Sequence, residues 1–298
     1  ILLLSLNNSL AVDPRLGFTY RIAGNKSINI GYGLVSRMQT LTLYAFQTPV
    51  GNGYVETNKE VGFTRAHHAV LGYDWLISEN INLKIETYYQ YLFNIPVEQS
   101  SSSYSALNTG DSFGPDFTDS LVNKGTGTNY GLELTLEKYF SSHYYFLATA
   151  SVFDSKYKGS DGVERNTAFN QHYVVNLLAG KEFLIGKKKN ALGIDLKFTT
   201  AGGKYLTPID FAASEAIGNA VYIDQLAYSE QQGPYLRLDT KIYFRKNFKG
   251  MAMEFSIDLQ NVTNHKNVFS QQYDPYTNKI VTEHQQGFFP VPTFKITF

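Results

Sequence analysis

The closing stretch GFFPVPTFKITF (287–298) decides how the whole chain is read. From Pro292 onward one face carries Pro292, Phe294, Ile296 and Phe298, and the other Thr293, Lys295 and Thr297. A period of two residues marks an extended strand whose faces meet different surroundings. Chain ends normally fray and are polar, and an exposed apolar end strand invites aggregation. A terminal phenylalanine therefore needs surroundings that favour it.

The same period recurs upstream. In INLKIETYYQYLF (81–93), Ile81, Leu83, Ile85, Thr87, Tyr89, Tyr91 and Phe93 oppose Asn82, Lys84, Glu86, Tyr88, Gln90 and Leu92. In 130–137, Tyr130, Leu132, Leu134 and Leu136 oppose Gly131, Glu133, Thr135 and Glu137. Leu236, Leu238, Ile242 and Phe244 share a face in 235–245, as do Met253, Phe255, Ile257 and Leu259 in 251–260. Less regular versions occupy 15–22, 27–34, 66–77, 143–153, 172–183, 191–200 and 287–298. Helical periodicity is almost absent, so the chain reads as all-β with about eleven strands.

The connections alternate in length. Short ones read AGNK (23–26), SEN (78–80), SSH (141–143), IGKKKN (185–190) and KNFKG (246–250), with the Gly, Asn or Ser that tight hairpins need. Long ones fill about 35–65, 94–126, 154–171, 201–234 and 261–286. In an up-and-down antiparallel sheet, one end then carries tight turns and the other a canopy of loops.

Alternation by itself fits a soluble sandwich, apolar face in, or a membrane barrel, apolar face out. Several strands run to about 10–13 residues, beyond the usual five or six and close to the ~9–11 of a tilted bilayer crossing. Long loops gathered on one side are normal for such barrels. Tyr and Phe cluster near strand ends, at 88–93, 139–146 and 288–298, like interfacial girdles. Arg237, Lys241 and Arg245 would each cost ~2–4 kcal/mol at mid-depth in lipid, so their face lines a polar interior. The expected fold is an antiparallel up-and-down transmembrane β-barrel with short periplasmic turns and long extracellular loops. In a closed barrel the last strand pairs with the first, and Phe298 rests at the membrane boundary.

Composition agrees: Tyr 22 and Phe 21 against Trp 1, with slightly negative mean hydropathy, is what strands with one greasy and one wet face produce. Balanced charge, 26 basic and 26 acidic residues with no basic run, gives nucleic acid no electrostatic hold. The absence of cysteine excludes disulfides, thiolate zinc sites and cysteine nucleophiles. No apolar run approaches the ~18 residues of a membrane helix. The opening ILLLSL lacks the basic flank and cleavage site of a signal peptide, and Ile1 reads as an internal start.

Particular stretches carry a resemblance. PTFKITF (292–298), through Phe294, Ile296 and Phe298, resembles the C-terminal signal that the barrel-assembly machinery reads in Gram-negative outer-membrane barrels. SIDLQNVTNHKNVFSQQYDP (256–275) resembles the penultimate strand and last extracellular loop of TonB-dependent outer-membrane receptors, with Asn261-Val262-Thr263-Asn264 as the recurring element. NKGTGTNYGLELTLEKYF (123–140), DSKYKGSDGVERNTAFNQHYVVNLLAGKEF (154–183) and VDPRLGFTYRI (12–22) are similar to that family too. The resemblance spans essentially the whole chain. It implies a barrel of about 22 strands occluded by an N-terminal plug and energised through a TonB-box segment. Residues 1–298 would then be the C-terminal portion of a single barrel domain, with the plug and first strands outside the chain. A half-barrel exposes two unpaired edges and is not expected to transport alone.

The function implied is TonB-dependent uptake of a scarce nutrient (siderophore, cobalamin, oligosaccharide or similar) across the outer membrane. The partners implied are the TonB complex, the barrel-assembly machinery, outer-membrane lipid and the nutrient; no cofactor is implied. The alternatives are a non-transporting barrel serving as adhesin or binding protein, an outer-membrane enzyme, and a soluble all-β domain that needs no detergent.

Enzyme signatures are missing. His67 and His68 are adjacent and face opposite ways in a strand, so they cannot share one metal. Neither HExxH nor G-x-S-x-G occurs, and Glu283-His284 reads as surface. GTGTNYG (125–131) has the wrong spacing and opens a strand, so it offers phosphate no helix N-terminus and reads as flexible loop into strand. The acidic pieces GSDGVE (159–164) and NTGDSFGPDFTD (108–119) lack the EF-hand ligand pattern and read as solvated loop.

Two residue sets remain. Lys84, Glu86, Glu133, Glu137, Asp195 and Lys197, with Arg237, Asp239, Lys241, Glu254 and Asp258, are expected to form a lumen-facing polar wall with cross-strand charge pairs. Tyr104, Phe113, Phe117, Tyr205, Phe211, Tyr222 and Tyr228 lie in long loops, where aromatic stacking on a captured ligand is the expected role.

Overall fold

The computed structural model describes residues 2–110, 118–187 and 189–298. Eleven strands follow one another across a single antiparallel sheet. They are β1 (Arg15–Ala23), β2 (Lys26–Arg37), β3 (Thr64–Ser78), β4 (Ile81–Glu98), β5 (Leu121–Ser141) and β6 (Tyr144–Lys158), then β7 (Tyr173–Ile185), β8 (Asn190–Ala201), β9 (Tyr235–Asn247), β10 (Ala252–Gln260) and β11 (Phe289–Thr297). A short strand, Glu164–Asn166, extends the sheet beside the far end of β6. Each expected strand is present, and each long strand pairs with its neighbours in sequence. β1 and β11 form the two edges of the sheet, so the pairing of last strand with first is not made within this chain.

Register sorts the side chains into two faces. One rung reads Ser27, Asp74, Lys84, Thr135, Thr149, Asn176, Thr199, Arg237 across eight strands, all polar. The neighbouring rung on the opposite face reads Ile28, Tyr73, Ile85, Leu134, Ala150, Val175, Thr200, Leu236. Among the described residues no protein layer covers the apolar face: Val152, Phe255 and Phe294 are 63%, 57% and 61% exposed. An exposed apolar surface this wide marks an interaction surface.

Two boundaries differ from expectation. β4 and β5 run on to Glu98 and from Leu121, at 18 and 21 residues, so GTGTNYG lies inside a strand and not at its mouth. Packing keeps its glycines small. A Cβ on Gly125 would meet Val97 and Ile95, one on Gly127 the Leu107 side chain, and one on Gly131 the Phe153 and Tyr88 side chains. These omissions of side chain erased the alternation that locates a strand in sequence.

Tight turns join the strands at one end; at the β5–β6 turn, Ser142 and His143 both take the positive φ of a two-residue hairpin. The long loops at the other end carry structure of their own. α1 (Leu41–Tyr44) and a hairpin, Thr48–Val50 with Gly53–Val55, lie between β2 and β3. α2 (Phe211–Ile217) lies between β8 and β9, its first turn capped by Asp210 accepting from the Ala213 N–H at 3.0 Å. A second hairpin, Val268–Asp274 with Lys279–His284, rises between β10 and β11. Leu4, Ala11, Leu43, Tyr44, Val61, Phe63 and Leu121 bury one another here, a core within the canopy.

Candidate functional site: the polar wall and the loop canopy

The eleven expected wall residues all share the polar face, because each sits at the register parity of Lys84 or Arg237. Charge pairs form both along and across strands. Lys84 reaches Glu86 at 2.7 Å, Arg237 reaches Asp239 at 2.7 Å, and Lys241 lies 3.9 Å from Glu254. Arg245 meets Glu182 at 2.9 Å, and Glu182 is a wall residue that the sequence reading missed. Such half-exposed pairs add little stability each; their effect is to hold a wetted wall in one arrangement.

Toward its tight-turn end the wall has a reciprocal design. Tyr145 on β6 reaches over Gly180 of β7 and donates to Asp195 of β8 at 3.0 Å. Tyr243 on β9 reaches over Gly193 of β8 and donates to Glu182 of β7 at 2.8 Å. Each ring needs a glycine beneath it, since a Cβ there would overlap the ring. Mid-strand glycines register-paired with tyrosines were the signal available in sequence, but only the register makes it readable.

Glu86 stands directly opposite Glu133. Lys84 is drawn to Glu86, and the two glutamates border a cleft of about 460 Å³ whose lining includes His68, Gln90, Asn129 and Phe169. Like charges placed opposite each other on neighbouring strands are unfavourable unless a cation or water lies between them. The cleft opens on the polar face below the loops.

The described loop aromatics are engaged at separate places. Tyr104 packs on the buried canopy core. Tyr205 meets His172 edge-on, its hydroxyl 3.0 Å from the ring nitrogen Nε2. Phe211 is edge-on to Tyr273, and Tyr228 to Tyr157. Tyr222 is exposed beside the bridge it forms with Ile209. Phe113 and Phe117 lie outside the described residues, as do Asp111 and Asp116 of the second acidic piece.

The first acidic piece is pinned. Both Asp161 carboxylate oxygens accept from Arg165, at 3.0 and 2.7 Å, and the guanidinium holds that carboxyl below its usual range. Asp161 N–H donates to the Ser102 carbonyl and Ser103 bonds to Asp224, so three loops are tied together. Among the described residues, no group of three or more His, Asp or Glu side chains is placed to hold a metal.

Asn261, the first residue of the Asn-Val-Thr-Asn element, anchors the last loop. It is buried at φ 49° and its N–H donates to Asp239 Oδ1 at 2.8 Å. Its side chain accepts from the His265 N–H at 3.1 Å and donates to the His265 carbonyl at 2.9 Å. Asn264 accepts from the Phe288 N–H at 3.0 Å, closing the loop base onto β11.

These features define a class: a long antiparallel sheet, apolar on one face and charged on the other, with tight turns at one end and folded loops at the other. Within it, the fold is that of the barrel portion of TonB-dependent outer-membrane receptors. The ferric yersiniabactin uptake receptor FyuA from Yersinia pestis matches with a TM-score of 0.63 at 13% identity, over 95% of this chain and 37% of that one. The outer membrane transporter YddB from Escherichia coli matches at 0.61 and 14%, over 97% and 40%. FpvA from P. aeruginosa, in complex with a heterologous pyoverdine and iron, matches at 0.62 and 11%, over 95% and 32%. The chain thus spans 32–40% of the length of these proteins. They are receptors and transporters, not enzymes. No protein-family model and no curated protein sequence matches the chain. Among the described residues no helix is long and apolar enough to cross a membrane.

Proposed function

We propose that this chain is the C-terminal portion of the barrel of a TonB-dependent active transporter in the outer membrane of a Gram-negative bacterium. One observation carries the reading. A sheet of eleven strands, apolar on one face and charged on the other, resembles the barrels of uptake receptors over nearly its whole length. Eleven strands are half of a barrel of about 22, and the remaining strands and a plug would come from the part of the protein that precedes this chain.

In this reading the eleven wall residues face the lumen and support the plug, and with Lys84 already on Glu86, the carboxylate of Glu133 is left to favour a cationic group from whatever fills the lumen. The folded loops, with Tyr104, Phe113, Phe117, Tyr205, Phe211, Tyr222 and Tyr228, capture the nutrient, and TonB then displaces the plug using the proton-motive force. The chain supplies no catalytic group. Phe294, Ile296 and Phe298 serve the barrel-assembly machinery. The nutrient is a siderophore, cobalamin, oligosaccharide or similar; the iron ligands of the neighbours make a ferric chelate the first to test.

The experiment is uptake of radiolabelled ferric chelates, cobalamin and oligosaccharides by cells carrying the full-length gene, with and without TonB. Loss of uptake on deleting TonB supports the proposal. Uptake that persists unchanged defeats it, and saturable binding with no uptake in either strain supports a non-transporting binding barrel instead.

A further inference from the structure

Charge on the apolar face is confined to its ends. At the tight-turn end Lys26, Lys138, Lys181 and Lys246 point to that face, level with Trp75, Phe146, Ile194 and Met253 on neighbouring strands. No strand carboxylate joins them there. At similar depth Glu137, Glu182 and Glu254 have the polar-face parity. The tight turns add Lys187, Lys189 and Lys249 against the single acid Glu79, among the described residues. The inside of the rim mixes these acids with Arg21, Arg245 and Lys295, whereas the outside, among the described strand residues, carries lysines without acids.

One lysine has a structural duty. Lys138 is 6% exposed, and its ammonium donates to the Ser141 and Tyr144 carbonyls at 2.9 and 3.1 Å, locking the β5–β6 turn. Lys138 also lies over the Tyr144 ring at 3.7 Å, but the other three have the ring contact without those carbonyl bonds. Lys26 lies over the Trp75 ring at 4.7 Å, Lys181 over Phe183 at 5.2 Å and Lys246 over Phe248 at 5.2 Å. Among the described residues, none of the three is ion-paired. A cation resting on an aromatic ring at the margin of an apolar band keeps its stem in hydrocarbon and its charge at headgroup level.

We infer that Lys26, Lys181 and Lys246, with the turn lysines beside them, form a collar that binds the phosphates of anionic glycerophospholipids in the leaflet next to the tight turns. The inference rests on the membrane-barrel reading above. Three similar cation–ring arrangements, spread from β2 to β9 and free of competing carboxylates, match a charged lipid layer along a rim. A zwitterionic headgroup offers such a rim no net charge to neutralise.

The test uses the full-length receptor in nanodiscs of phosphatidylcholine mixed with phosphatidylglycerol, counting the lipids retained after extraction by native mass spectrometry. The parent should enrich phosphatidylglycerol about fivefold over the bulk at low salt, the effect of one lysine–headgroup contact, and less at high salt. The K26Q/K181Q/K246Q variant should lose the enrichment, and the triple Lys→Arg variant should keep it. Single K181Q, altered at an exposed side chain, should lower it and stands in if the triple variant does not fold. Equal enrichment in parent and K181Q or the triple Gln variant overturns the collar. Insertion without enrichment overturns the collar alone, whereas a parent that never enters the bilayer overturns the barrel reading as well.

Discussion

The Tyr243 side chain lies across Gly193 and bonds Glu182, a carboxylate two strands away. Gly193→Val should drive the ring off its seat and destabilise the barrel by about 1–3 kcal/mol, as overpacking does. The measurement is the temperature at which the full-length receptor unfolds in detergent, read as a gel shift. Combining Gly193→Ala with Tyr243→Ala should cost less than the sum of the single changes, because the clash disappears with the ring. Strict additivity would refute the packing.

The loop latch makes a pH prediction. Arg165 holds the Asp161 carboxyl below its ordinary range, so the latch contributes fully above an ordinary carboxylate pKa of about 4. That contribution is lost as pH falls through the lower, folded-state value. This chain has no cysteine, so a dye on Val163→Cys reports the loop alone. Its fluorescence should stay at the neutral-pH level through pH 4 and change only in stronger acid. In Arg165→Ala the transition should move up into the ordinary carboxylate range. Coincident transitions in the two proteins would rule the latch out.

Asn261→Ala should be costly for a surface-end residue. It leaves the His265 N–H and C=O without their partner and keeps a side chain at positive φ that Asn tolerates better than Ala. The expected cost is about 2–3 kcal/mol, seen as earlier unfolding and as faster protease cleavage within 261–288. Unchanged cleavage would mean the loop base is held elsewhere.

Phe298 is 94% exposed and touches little of the sheet. Deleting it should leave the unfolding free energy of assembled barrels within about 0.5 kcal/mol of the parent, while the yield of assembled protein in cells falls several-fold. A matched loss of stability and yield would assign the residue to packing, not to recognition during assembly.

Strands such as Ile81–Glu98 were legible because each side chain alternates between two surroundings, and a period of two needs no partner to be seen. The wall residues were legible for the same reason: parity along one strand assigns a face. What parity cannot carry is the relation between strands. The seats at Gly180 and Gly193, the opposition of Glu86 to Glu133 and the cleft beside His68 exist only once register is set. The start of β5 was hidden for a related reason. Gly125 and Gly127 are small because Val97, Ile95 and Leu107 crowd them, which removed the signal of the strand they belong to. The loop aromatics were found as residues but not as joints, since Tyr205 with His172 and Phe211 with Tyr273 are joined by the folding of separate loops.

Every long strand of the sheet touches only its neighbours in the chain. No pairing inside this sheet waits for a distant segment, so the sheet can grow by one hairpin after another, each new strand templated by the one just laid down, with only the closing seam left to distant strands. The same connectivity gives the architecture an arithmetic. Hairpins can be added or removed in pairs of strands without rewiring what remains, so barrels of different girth, enclosing different cargo, lie within reach of one another by simple duplication.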